Sequence, residues 1–104
     1  LSTPPGAGAI AVVRLSGLDA IRLTDEVFAG KRLRDQPGHT LHYGTIRDGN
    51  RILDEVVVGL FRAPHSYTRE DVVEISTHGS DYIVRELLAL LLRRGARLVE
   101  AGEF

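Results

Sequence analysis

The chain has 104 residues, 43% hydrophobic and 26% charged, with thirteen Lys and Arg against fourteen Asp and Glu for a net charge of −1. That suits one globular domain, 1–104, able to bury about two thirds of its unfolded surface, and it gives no electrostatic footprint for a nucleic acid. The lack of cysteine excludes disulfides and thiolate metal sites, and no apolar run approaches the roughly 20 residues that cross a bilayer.

The opening Leu1-Ser2-Thr3-Pro4-Pro5 has neither the basic nor the apolar region of a signal peptide. No methionine occurs anywhere. These features suggest a piece of a longer, cytoplasmic protein.

After the turn at Pro4-Pro5-Gly6, the run from Ala9 to Leu15 is apolar and β-branched and reads as a buried strand. Ser16 with Asp19 three residues on matches a capping box. Leu18, Ile21 and Phe28 then follow at helical spacing with Ala20, Thr24 and Val27, and Gly30 is placed to end the helix. Lys31 to Gly38 is a polar loop. Leu41 to Arg47 and Ile52 to Phe61 flank Asp48-Gly49-Asn50 and predict a hairpin, whose second arm is apolar on both faces and hence central in a sheet.

The loop from Arg62 to Arg69 leads into a strand from Val72 to Thr77. His78-Gly79-Ser80-Asp81 opens the strongest helix, apolar at Ile83, Val84, Leu87, Leu88, Leu90, Leu91 and Leu92 and closed by Arg93-Arg94-Gly95. Arg97-Leu98-Val99 is a last short strand. The expected fold is α+β, an α/β sandwich: a mixed sheet of about five strands with two helices.

Pro4-Pro5-Gly6-Ala7-Gly8 is no phosphate loop, because no Gly-Lys-Ser/Thr follows and it precedes a strand. His39, His42, His65 and His78 have no metal-ligand spacing. No nucleophile-elbow sequence supports a triad built on Ser66 and Asp71. Nothing specifies covalent catalysis.

Two charges inside apolar strands stand out. Arg14 shares a face with Ile10 and Val12. It either reaches solvent along its stem or holds an anionic or polar ligand with its planar fork. Glu74 shares a face with Val72 and Ser76. An ionised carboxylate in a buried strand costs several kcal/mol unless paired. Its partner is either a structural cation such as Arg14 or a heterocycle with adjacent N–H donors, such as the aminopyrimidinone edge of a pterin or guanine.

Four segments carry a family resemblance. They are Thr3 to Gly17, which contains Val-Val-Arg-Leu-Ser-Gly; His42 to Ile46; Ser66 to Gly79, which contains Glu-Asp-Val-Val-Glu; and Gly95 to Phe104, which ends in Gly-Glu-Phe. Together they resemble the N-terminal domain of the tRNA modification GTPase family MnmE, also called TrmE. The match is weakest between Leu18 and Leu41.

The resemblance implies a fold similar to the tetrahydrofolate-binding fold of aminomethyltransferases. It also implies binding of a tetrahydrofolate derivative, 5-formyl- or methylene-tetrahydrofolate, and homodimerisation with the folate near the dimer interface. By motif position, Arg14 and Glu74 match the family's folate-contacting residues. The family's helical and GTPase domains, with GTP, magnesium and potassium, lie outside this stretch, as does a further folate-contacting lysine, so this fragment is expected to be non-catalytic.

The whole protein is expected to be a GTP hydrolase that, with the flavoprotein MnmG (GidA), modifies the wobble uridine of tRNA at C5, adding a carboxymethylaminomethyl group. The sequence departs from the family pattern at Ala7, His65, Arg69, at Thr77 and Ser80 of a Cys-His-Gly-Gly motif, and at Ala101; the glycines missing at Arg69 and Ser80 bear on local turn geometry. Two rival readings are a module that only dimerises and a freestanding folate-dependent one-carbon transferase.

Overall fold

In a computed structural model, which describes residues 10–63 and 70–97, the sheet-forming segments separate by parity into a covered face and an open one. The elements are β1 (Ile10–Ser16), α1 (Ala20–Val27), β2 (Phe28–Ala29), a 3₁₀ turn (Leu33–Asp35), β3 (Thr40–Asp48), β4 (Arg51–Phe61), β5 (Val72–His78) and α2 (Asp81–Arg93). The sheet order is β1-β5-β4-β3-β2. The α+β layering of five strands and two helices is as expected. Within it, every pairing among the described residues is antiparallel rather than mixed. The two-residue connection Gly49-Asn50 enforces this between β3 and β4.

β4 occupies the centre of the sheet, as its doubly apolar pattern predicts. β1 is instead an edge strand with one wet face: Val13 and Leu15 are buried, while Ile10 and Val12 are exposed. An apolar run alone does not say how many faces are covered. The core forms where Val13, Val73, Ile75, Val58 and Ile46 meet Ile21, Leu23, Leu87, Leu90 and Leu91 of the helices. Each fully buried aliphatic side chain there contributes about 1.5–3 kcal/mol.

The capping box is not formed. Ser16 stays in β1 and donates to Glu70 Oε2 at 2.9 Å, and α1 begins after Asp19 without a side-chain cap. Leu18 lies outside the helix and is almost fully exposed. The helix also ends early, because Phe28 is extended and starts β2, so Gly30 is not its cap. The reason is tertiary. A Cβ on Gly44 would stand 2.4 Å from the Ala29 carbonyl oxygen and 2.5 Å from Phe28 Cζ, so the bare backbone of β3 lets β2 and the Phe28 ring come this close.

Two polar side chains organise the 31–38 loop. Asp25 accepts from the Leu33 amide and from Arg34 Nε, both at 2.8 Å, and Arg62 donates to the carbonyls of Leu33, Arg34 and Gln36.

α2 follows the sequence more closely. Ser80 caps it by accepting from the Ile83 amide, and Leu87, Leu90 and Leu91 are buried. Gly95, at φ +113, lets the chain reverse: its amide bonds the Leu92 carbonyl and that of Ala96 bonds the Leu91 carbonyl, a Schellman closure. Arg51 ties the hairpin end to this helix through Tyr82 and Glu86, and Arg93 does so through Asp48. The predicted strand at Leu98-Val99 and the turns at Pro4 to Gly8 and Pro64 to Arg69 lie outside the described residues.

Candidate functional site

Among the described residues, the helices cover one side of the sheet and leave the other open. On that open side the register sets residues of adjacent strands in rows. One row runs Arg14, Glu74, Gly59, Leu41; the next runs Val12, Ser76, Val57, Tyr43. Neighbouring positions in a row are roughly 5 Å apart.

The two intra-strand charges singled out by sequence are therefore directly opposed across β1 and β5. Arg14 Nη2 and Nε both donate to Glu74 Oε2, at 2.9 and 3.2 Å. Their side chains are 47% and 25% exposed, so the strand carrying Glu74 is dry on only one face and the desolvation cost expected of a buried carboxylate is largely avoided. A half-exposed pair of this kind contributes about 0–1 kcal/mol to stability.

Its chemical capacity is of more interest. A carboxylate offers about four acceptor positions, and both bonds from Arg14 converge on one of its two oxygens. On the side of Glu74 away from Arg14 stands Gly59, over which the side chains of Leu41 and Phe61 close, 3.2 and 3.4 Å from where a Cβ would stand. The exposed apolar surfaces of Val12, Leu41 and Val57 border the pair. This is a charged acceptor and a planar donor on a rigid sheet, flanked by flat apolar surface.

Further along β5 on the same face come Ser76 and His78. Asp54 accepts from the His78 amide at 2.9 Å and faces its Nδ1 at 2.8 Å. The Asp54 side chain is nearly buried and the imidazole largely exposed. Tyr43 donates its hydroxyl to Glu55 at 2.5 Å. That hydrogen bond, reinforced by desolvation and by the Glu55 charge, raises the Tyr43 pKa above its ordinary value.

A depression of about 410 Å³ lies among Ile10, Tyr43, Glu55, Val57, Ser76 and His78. Sequence reasoning placed His78 at a strand–helix junction but missed Asp54, Glu55 and Tyr43. The available signal was the alternation Glu74, Ser76, His78, which puts three polar residues on one face of an otherwise apolar strand. The other histidines lie elsewhere. His42 is buried against Thr40, and His39, at φ +58, meets the Phe61 ring edge-on.

An antiparallel sheet covered by helices on one side, with an ion pair and a shallow depression on the other, defines an open-faced α+β domain. Residues 1–104 match the family described as the GTP-binding protein TrmE N-terminus, and the chain belongs to that family. Over 104 residues it is 58% identical to the tRNA modification GTPase MnmE of Cytophaga hutchinsonii, 55% to that of Streptococcus thermophilus and 54% to that of Lactococcus lactis. All of this chain aligns in each case but spans only 23% of the relative. Among the described residues no helix is long and apolar enough to cross a membrane.

Proposed function

We propose that this chain is a folate-binding and homodimerisation domain of a cytoplasmic, tRNA-modifying GTP hydrolase, with a fold like that of tetrahydrofolate-binding aminomethyltransferases. Glu74 accepts paired N–H bonds from the aminopyrimidinone edge of a reduced pterin, and Arg14 contacts the ligand's carbonyl or carboxylate side. The supporting observation is that Arg14 and Glu74 meet on the open face in a chain of this family. The donor set fits. A carboxylate matches two adjacent N–H donors with charge-assisted bonds, and the apolar groups of Leu41 and Phe61 over Gly59 suit a planar ring.

When bound, the folate carries the one-carbon unit; the residues of this domain bind and orient it. GTP, magnesium, potassium, the tRNA and the flavoprotein MnmG belong to the rest of the full-length protein in this reading.

The test is calorimetric titration with 5-formyltetrahydrofolate of the chain carried to the length of its relatives, with sedimentation for the dimer. Glu74→Ala is expected to weaken binding at least about tenfold. Equal affinity in parent and variant removes the role given to the carboxylate. The closed Arg14–Glu74 pair also favours a second reading, in which the two merely bridge each other and the domain only dimerises. Dimers that bind no folate support it. A freestanding one-carbon transferase is distinguished by the coding sequence downstream, which in that case lacks G-x-x-x-x-G-K-[ST].

A further inference from the structure

The open face carries a second constructed feature that Arg14 and Glu74 do not use. Parity puts Glu74, Ser76 and His78 in one line along β5. Four residues of strand separate the first from the last, roughly 13 Å. A bicyclic ring held at Glu74 falls short of His78, whereas an elongated ligand lying along β5 reaches it.

At the far end the imidazole is held rather than loose. Asp54 engages both its backbone amide and Nδ1, and no described residue bonds Nε2. With Nδ1–H assigned to the Asp54 bond, Nε2 is the acceptor position of that tautomer. The depression beside it has apolar walls in Ile10 and Val57 and an aromatic one in Tyr43, which suits an aryl ring. Its rim holds the Glu55 carboxylate, with Asp54 behind the imidazole. Those charges favour an N–H donor and direct the carboxylate on the carbon next to that amide away from Asp54 and Glu55, toward solvent.

We infer that His78, oriented by Asp54, is a third ligand contact, accepting a hydrogen bond at Nε2 from the aryl-amide portion of the molecule whose bicyclic head lies at Glu74. This rests on the folate reading above and adds a subsite to it. Asp54 is a positioning residue: it fixes the ring and its tautomer.

The test compares two ligands on the full-length protein, 5-formyltetrahydrofolate and tetrahydropterin, which lacks the aryl tail. His78→Ala is expected to weaken the folate about tenfold and leave tetrahydropterin unchanged. Asp54→Asn should weaken the folate alone, by less, and His78→Gln should restore part of the loss. Glu74→Ala should weaken both ligands.

If His78→Ala binds the folate as the parent does, or weakens both ligands equally, the subsite is overturned while the head-group reading stands. If the parent binds neither ligand, the folate reading falls and takes the subsite with it. Thermal melts of each variant report folding, and His78→Leu, which has no acceptor, serves where the alanine variant does not fold.

Discussion

On the covered face Val13, Leu15, Val73 and Ile75 meet the helices and are each under a tenth exposed. One residue along the same strands, Val12, Arg14, Glu74 and Ser76 look the other way, onto a face where apolar and charged groups are mixed. Period-two geometry lets one sheet carry both, because a side chain's neighbours are set by parity more than by strand. The contrast implies that stability and binding are separable by substitution. Changes at inward positions should unfold the domain, and changes at outward ones should alter what it binds.

The largest expected effect is on the covered face. Ile75→Ala leaves a cavity under both helices and is expected to cost about 2–5 kcal/mol in chemical denaturation. A loss below about 1 kcal/mol breaks the division. Gly44→Ala probes the far end of the same face, where a Cβ would meet Ala29 and the Phe28 ring; a loss of about 1–3 kcal/mol is expected. Unchanged stability there means that β2 does not depend on that close approach.

Glu74→Ala, on the open face, sharpens the comparison. It is expected to change stability by less than about 1 kcal/mol while weakening folate affinity. A large stability loss instead reassigns the Arg14–Glu74 pair to structure.

The smallest effect concerns Tyr43. Its folded pKa is raised above the ordinary 10.0. The stability from its bond to Glu55 is therefore fully present below pH 10 and is lost as pH rises through the folded value. Parent and Tyr43→Phe denaturation curves should differ most at neutral pH and converge or cross above pH 10. A difference independent of pH shows that the bond does not titrate with this hydroxyl.

Much of this was legible in the residues. The hairpin around Gly49, the central place of β4 and the helix from Asp81 to Arg93 follow from turn chemistry and periodicity. Arg14 and Glu74 stood out because a charge in an apolar strand is costly without a partner. The misreadings share one cause. Ser16, Leu18 and Phe28 fit a helical template locally, yet Ser16 is held in β1 and Phe28 is drawn into β2 by contacts with segments far along the chain.

Asp54, Glu55 and Tyr43 were missed because each is unremarkable in its own strand and acquires meaning only beside its neighbour. Composition, spacing and capping chemistry are properties of short stretches, so the sequence by itself determined which stretches are strands and helices and which charges are out of place. Strand order and register depend on contacts between segments remote in sequence. Only the tertiary structure decided that Arg14 stands opposite Glu74, that His78 reaches Asp54, and which face of the sheet the helices cover.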